Sequence, residues 1–70
     1  MNEQMKSPID PKDELKQLLV EKDKIEYMIN LTKIRYHKRA MDTESFREIV
    51  RDYQKKLVEL DARMSELQKT

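Results

Sequence analysis

RYHKRAMDTESFREI, residues 35–49, determines whether this chain folds back on itself. It interrupts a helical pattern that is regular on both sides. Basic residues crowd its first half, and weak helix formers (Asp42, Thr43 and Ser45) crowd its second half. Either the chain turns back here to form a hairpin, or it continues as one long helix. The choice determines which apolar residues can meet within one molecule.

Apolar residues recur at alternating spacings of four and three on both sides of this stretch, as on a helix with one apolar face. The second run is apolar throughout, whereas the first contains Lys22 and Thr32. A lysine stem can lie along such a face while its ammonium group reaches water. We call this face the seam. Its members are Leu15, Leu18, Lys22, Ile25, Ile29, Thr32 and Tyr36 in the first run, and Phe46, Val50, Tyr53, Leu57, Leu60, Met64 and Leu67 in the second.

The residues around Met41 favour a hairpin. In a straight helix, Arg39 and Thr43 would both fall on the seam and leave successive polar layers, whereas a turn places them at an exposed bend. Asp42 is a favoured N-cap residue for a second helix, and Met41 and Phe46 then have the spacing of a hydrophobic staple. In a hairpin, seam residues at equal distances along the chain from Met41 would face each other.

The lack of glycine opposes the turn. Arg39 or Ala40 would have to adopt the left-handed conformation that often ends a helix, at a cost of about 1 kcal/mol. The cap, the staple and the avoided polar layers outweigh this cost. We therefore predict an all-α fold, an antiparallel two-helix hairpin like a short coiled coil, and retain a single long parallel coiled coil as the alternative. The predicted parts are a flexible arm over residues 1–10 and a hairpin over 11–70, with helix 1 at about 11–40, a turn at about 40–42 and helix 2 at about 42–69.

The start of helix 1 has its own signal. Asp10 can accept hydrogen bonds from the first-turn N–H groups, and Pro11 suits the first helical position. Residues 1–9 are polar and show no periodicity, which predicts a mobile arm. No glycine or proline follows Pro11, so the sequence contains no further strong helix breaker.

The turn resembles that of a known family of short modules. The residues that carry the likeness are Tyr36, Met41, Asp42, Glu44 and Phe46, followed by Leu57 and Leu60. Their order is similar to that around the turn of SHOCT-type short helical hairpins, which are often appended to other proteins. The resemblance covers residues 31–60 and departs at Arg39, where such modules usually carry glycine, and at helix 1, which is longer than theirs. It implies an oligomerisation or docking role, and it carries over no catalytic or binding residue.

Helix 1 has further apolar residues that helix 2 of the same molecule cannot cover. At 100° per residue they lie roughly 160–200° from the centre of the seam, with Met28 at their edge. Their burial would stabilise a small domain by roughly 1.5–3 kcal/mol per side chain, and a chain of 70 residues needs such help. We predict a homodimer that forms an antiparallel four-helix bundle, although a different protein partner could use the same surface. We call this surface the second stripe: Val20, Tyr27, Met28, Leu31 and Ile34.

Composition and motifs argue against catalysis. The chain has no cysteine, which excludes disulfides and thiolate metal sites and suits a reducing cytoplasm. It has no metal-binding histidine pair and no glycine-rich phosphate loop. Its serines have no evident partners that would complete a catalytic triad. The longest apolar run, 18–20, is too short to cross a membrane. We therefore expect neither enzymatic activity nor a cofactor, and a function in protein–protein interaction as a scaffold or adaptor.

A group of basic residues at the end of helix 1 supports an alternative function. Lys+Arg (15) and Asp+Glu (14) nearly cancel over the chain, so no global charge attracts nucleic acid. A dimer would nevertheless present the local group twice and could contact a phosphate backbone. The alternative is thus a small dimeric RNA- or DNA-binding protein. We call these residues the basic cluster: Lys33, Arg35, Lys38 and Arg39.

Overall fold

The computed structural model describes residues 10–69 as two α-helices joined by a short turn. Helix α1 spans Pro11–His37 and helix α2 spans Thr43–Lys69, with 27 residues each. At 1.5 Å per residue each helix is roughly 40 Å long. The helices pack against each other as a hairpin, which confirms the predicted all-α hairpin and excludes the single straight helix. Residues 1–9 of the predicted arm, and Thr70, lie outside the described residues.

The two helices meet along the seam. Ile25, Ile29 and Met64 are its most buried apolar members, with 7%, 9% and 7% of their surface exposed, and the other apolar members are half-buried. Thr32 is also buried, and its hydroxyl donates a hydrogen bond of 2.7 Å to the Met28 carbonyl in the preceding turn. Within residues 10–69, no apolar side chain is completely enclosed. The hairpin core is therefore a single thin layer.

The register of the hairpin follows the predicted rule of equal distances from Met41. Next to the turn, the rings of Tyr36 and Phe46 stack with their centroids 4.3 Å apart and their planes 14° from parallel. At the open end, Leu15 and Leu67 line the same surface hollow. Offset stacking of two aromatic rings adds to the free energy of burying their area. The seam is thus closed at both ends by the expected pairs.

Helix α1 ends in a Schellman motif built on an arginine. Arg39 has φ of 60°, in the left-handed region, and its N–H donates to the Tyr36 carbonyl at 2.9 Å. The Ala40 N–H donates to the Arg35 carbonyl at 2.8 Å, which completes the motif. Because the motif needs these two residues outside the helix, α1 ends at His37 rather than near residue 40. The left-handed conformation costs a residue with a Cβ atom about 1–2 kcal/mol.

Helix α2 begins with the predicted cap. The Ser45 N–H donates to Oδ2 of Asp42 over a long 3.5 Å, and the Phe46 N–H donates to the Asp42 carbonyl at 3.0 Å. A hydrogen bond from the Ser45 side chain is the main reason that the pKa of the Asp42 carboxyl is lowered, and the Ser45 N–H contributes less. The hydroxyls of Tyr36 and Thr43 are hydrogen-bonded at 2.9 Å, which joins the end of α1 to the start of α2.

The start of α1 also agrees with the sequence. The Lys12 N–H donates to Oδ1 of Asp10 at 2.9 Å, and Pro11 occupies the first helical position. Asp13 and Glu14 lie in the first turn, where the positive end of the helix dipole favours negative charge. Each helix of the hairpin therefore begins at an aspartate that caps it.

Candidate interaction surface

The second stripe lies on the face of α1 that points away from α2. Val20, Tyr27 and Ile34 have 56%, 65% and 49% of their surface exposed, while Met28 and Leu31 are half-buried. The three exposed residues are spaced by seven, which places them on one line along the helix, roughly 10 Å apart. The structure therefore brings together the residues named from the sequence, and their role in binding stays a prediction.

Leu19 is an exposed apolar residue that was missed in the sequence. It has 48% of its surface exposed. At 100° per residue it falls about 80° from the line of Val20, Tyr27 and Ile34, between that line and the seam. The helical periodicity that identifies the second stripe therefore excludes it. It would lie at the rim of any contact made by the second stripe.

Helix α2 lacks a comparable surface. Val58 is its one large exposed apolar residue within residues 10–69, with 68% of its surface exposed. Its neighbours in a shallow hollow are polar or charged (Arg51, Gln54, Lys55 and Glu59). An isolated exposed valine is ordinary on a protein surface, so α2 presents no second apolar face.

Two ion pairs join the helices beside the seam. The guanidinium of Arg63 donates to both carboxylate oxygens of Glu14, Nε to Oε2 at 2.8 Å and a terminal nitrogen to Oε1 at 3.0 Å. These bonds lower the pKa of Glu14 and raise that of Arg63. Lys22, the cation within the seam, reaches Asp61 with Nζ 3.1 Å from Oδ1, and this contact raises its pKa. The Lys22 ammonium, which the sequence predicts to reach water, thus contacts the carboxylate of Asp61 at the edge of the seam.

The basic cluster is exposed but not gathered on one face. Lys33, Arg35, Lys38 and Arg39 are all exposed, and none forms an ion pair with another described residue. Lys33 and Arg35 are two positions apart on α1, so their side chains leave the helix about 160° apart. Tyr36 is half-buried against Phe46 and is not available as a platform for stacking bases. Arg39 instead lines a hollow at the turn, beside Met41 and Asp42.

Other kinds of site find little support in the described part of the chain. Within residues 10–69, no group of three or more His, Asp or Glu side chains is placed to hold a metal ion. Neither of the two helices is long and apolar enough to cross a membrane. His37 is exposed, with its ring centroid 6.3 Å from that of Tyr36. The second stripe is therefore the most extensive candidate surface.

Comparisons with known proteins identify no relative. No protein-family model, curated protein or solved structure matches this chain. The resemblance of residues 31–60 to SHOCT-type hairpins consequently stays a prediction.

Proposed function

We propose that this chain is a non-catalytic self-association module in which the second stripe of α1 binds a second copy of the chain. The observation that carries the proposal is the alignment of Val20, Tyr27 and Ile34 along the face of α1 opposite the seam. Three exposed apolar side chains at helical spacing lie on one line along the helix, unlike the lone Val58 on α2. The product is a homodimer with four helices.

The small core of the hairpin supports this proposal. Ile25, Ile29 and Met64 are its only apolar side chains, among the described residues, that are nearly withdrawn from water. Domains of this size usually need a disulfide, a metal or oligomerisation to be stable, and the chain contains no cysteine. Covering the second stripe gains roughly 1.5–3 kcal/mol for each side chain that becomes fully buried. Contributions from both copies can offset an association cost of about 4–15 kcal/mol.

The same chemical change on each helix tests the proposal. Val20→Glu places a carboxylate in the second stripe, and Val58→Glu places one at a similarly exposed valine of α2. We expect Val20→Glu to shift the dimer to monomer in sedimentation experiments at micromolar concentration, because an unpaired charge cannot be buried cheaply. Val58→Glu should leave the dimer intact and serves as the matched control.

Two outcomes would contradict the proposal. A wild-type chain that sediments as a folded monomer at every accessible concentration would show that the second stripe needs no second copy. Equal dissociation by Val20→Glu and Val58→Glu would show that the surface lies elsewhere. Circular dichroism of both variants distinguishes dissociation from unfolding.

The cellular role proposed for the module is that of a scaffold or adaptor. Self-association through an apolar stripe requires neither a cofactor nor a reacting group. A chain without cysteine does not depend on an oxidising compartment, and we place its function in the cytoplasm. A larger protein or assembly would be held together by the pairing of two hairpins.

Nucleic-acid binding is the second candidate function. It is favoured by one observation: the four cations of the basic cluster are exposed and form no ion pair with residues 10–69. Each phosphate contact would add roughly 0.7–0.9 to the slope of log affinity against log salt. Fluorescence anisotropy with a short generic RNA and DNA duplex, from 50 to about 200 mM salt, measures that slope. Steep weakening that is lost in a Lys33→Gln, Lys38→Gln variant supports this function, and no binding at 50 mM salt excludes it.

A further inference from the structure

We infer that two copies pair α1 against α1 in opposite directions about a two-fold axis at Tyr27, so that the four helices lie side by side in one layer. The two α1 helices would occupy the middle and the two α2 helices the edges. This inference rests on the proposed self-association and specifies its geometry. It describes a flatter assembly than the compact four-helix bundle expected from the sequence.

The layer follows from the angle between the two apolar faces of α1. Tyr27 lies about 170° from the centre of the seam at 100° per residue. A helix in a square bundle needs apolar faces about 90° apart, since it touches two neighbours at right angles, whereas a helix in the middle of a row needs them on opposite sides. Apart from Leu19 and Met28, the flanks of α1 are polar. Exposed residues on them are Glu26, Asn30 and Lys33 on one side, and Gln17, Glu21 and Lys24 on the other.

Helix α2 fits the edge of such a row. Its apolar residues face the seam, and Val58 is the single large exposed one among the described residues. A helix with one apolar face is satisfied by one neighbour and can leave its other side in water. The two helices of the hairpin are therefore suited to different positions, α1 in the interior and α2 at the edge.

The spacing of the second stripe matches a two-fold axis at Tyr27. Val20 and Ile34 both lie seven residues from Tyr27, one on each side. In a two-fold symmetric contact, if residue i touches residue j then j touches i. An antiparallel pair centred on Tyr27 places Val20 against Ile34 of the second copy at both ends, with the two Tyr27 side chains meeting in the middle. Every exposed member of the line then has an apolar neighbour.

Charge favours the antiparallel direction over the parallel one. Residues 33–39 contain four Lys or Arg and no Asp or Glu, whereas residues 10–26 contain six Asp or Glu and four Lys. A parallel pair would bring the two strongly basic ends together. An antiparallel pair centred on Tyr27 instead places each basic end beside residues 15–21 of the other copy, which contain one Lys and one Glu. The antiparallel direction therefore avoids the repulsion between like charges that a parallel pair would create.

Single cysteines in this cysteine-free chain test the direction. We would introduce Tyr27→Cys, Val20→Cys and Ile34→Cys separately, with Val58→Cys as an exposed control on α2, and measure disulfide-linked dimer after mild oxidation. Positions 20 and 34 are about 21 Å apart along a helix, while a disulfide requires Cα atoms within about 7 Å. We expect Tyr27→Cys to link to itself, and Val20→Cys and Ile34→Cys to link only when mixed. Each yield should be several-fold above that of Val58→Cys.

The outcomes separate this inference from the proposed function. Efficient self-linking of Val20→Cys and of Ile34→Cys would show a parallel pair, which overturns the inference and leaves self-association standing. Monomeric mass with every yield at the level of Val58→Cys would overturn both. A dimer without any link at positions 20, 27 or 34 would move the contact off the second stripe and also overturn both. The mixed pair gives a result even if loss of the Tyr27 ring weakens association.

Spin labels on Val58→Cys test the layer itself. In a row of four helices, the two α2 helices are separated by three interaxial spacings of 8–10 Å, or roughly 25–30 Å. In a square bundle they would be neighbours or diagonal, within about 14 Å. Each label lies about 5–6 Å outside its helix axis, so a square bundle gives an interspin distance of up to about 26 Å. We expect a distance above this limit. A distance of about 26 Å or less would overturn the layer and leave the two-fold pairing of α1 to be decided by the cysteine experiment.

Discussion

The two helices of the hairpin have the same length but different surfaces. Each has 27 residues and buries one face in the seam. Of the five large apolar residues that stay exposed in the described part of the chain, four belong to α1 (Leu19, Val20, Tyr27 and Ile34) and one, Val58, belongs to α2. Helix α2 therefore has one apolar face, which packs on α1, whereas α1 has a second apolar face that stays exposed in the hairpin.

The seam shows the same asymmetry from the inside. The half contributed by α2 is apolar throughout, whereas α1 contributes Lys22 and Thr32. Lys22 is satisfied by Asp61 of α2, and the Thr32 hydroxyl by the Met28 carbonyl of α1 itself. Compared with α2, helix α1 therefore has a less apolar face in the seam and a more apolar face on its opposite side. A helix that served only the hairpin would have no need of this distribution.

The greatest difference in stability is expected when isoleucine is replaced by alanine on each of the two faces of α1. Ile29 is 9% exposed in the seam and Ile34 is 49% exposed in the second stripe. Ile29→Ala should destabilise the fold by about 2–5 kcal/mol, the usual loss for a buried isoleucine. Ile34→Ala should lower the melting temperature only at concentrations where the wild type is dimeric, since association stabilises the folded state by mass action. Thermal unfolding followed by circular dichroism over a hundredfold range of concentration measures both.

Equal losses of stability from Ile29→Ala and Ile34→Ala in dilute protein would contradict this distinction between the two faces. They would show that both faces of α1 contribute to the fold of a single chain. A melting temperature of the wild type that does not change with concentration would likewise contradict a role of Ile34 between copies.

The sequence was sufficient to predict the hairpin because two independent patterns agreed. The seam is a heptad pattern, and its continuity is compatible with a straight helix as well as with a hairpin. The cap at Asp42 and the two polar residues that would otherwise enter the seam, Arg39 and Thr43, favour the turn. Once the turn is placed at Met41, the stacking of Tyr36 on Phe46 follows from equal distance along the chain.

Contacts made by long side chains could not be predicted in this way. The pairing of Glu14 with Arg63 depends on the rotation of each helix about its axis and on the chosen rotamers. Heptad spacing predicts which faces meet, but not which charges at their edges reach each other. The sequence does not predict the end of α1 at His37, because it does not show that Arg39 adopts the left-handed conformation, with Lys38 as the C-cap and Arg39 and Ala40 outside the helix. The second stripe can be identified from the sequence, but the sequence does not identify what it would bind.

An intermediate effect on stability is expected from a substitution at the end of α1, which differs from the start of α2. Helix α2 begins with a favoured capping residue, Asp42, whereas α1 ends with Arg39 in a conformation that favours glycine. Arg39→Gly should therefore stabilise the hairpin by about 1 kcal/mol, because it removes the clash of Cβ in the left-handed region. Urea unfolding of wild type and variant measures the gain.

Arg39→Ala distinguishes backbone conformation from charge. Alanine keeps the Cβ atom and removes the guanidinium, so it should give little of the gain seen with glycine. If Arg39→Ala stabilises as much as Arg39→Gly, repulsion within the basic cluster is the cause and the account based on φ is wrong. Loss of nucleic-acid binding in both variants would indicate that Arg39 is retained at its strained position for its side chain.

The smallest effect is expected at the open end, where an ion pair adds to the seam in holding α2 against α1. Because Arg63 lowers the pKa of Glu14, the pair contributes stability that is present above the ordinary value of 4.5 and is lost as the pH falls through the lowered value. In Glu14→Gln this part of the pH dependence should disappear, so the melting temperature should fall less between pH 6 and about pH 3.

Glu48→Gln, which changes an exposed glutamate of α2, is the control and should keep the wild-type slope of melting temperature against pH. Because Arg63 is exposed and Glu14 is only half-buried, the whole effect should be small and should shrink further in high salt. Identical slopes for wild type and Glu14→Gln would mean that the ion pair between Glu14 and Arg63 adds nothing to the contact of the two helices. A large difference would mean that α2 depends on this pair as much as on its single apolar face.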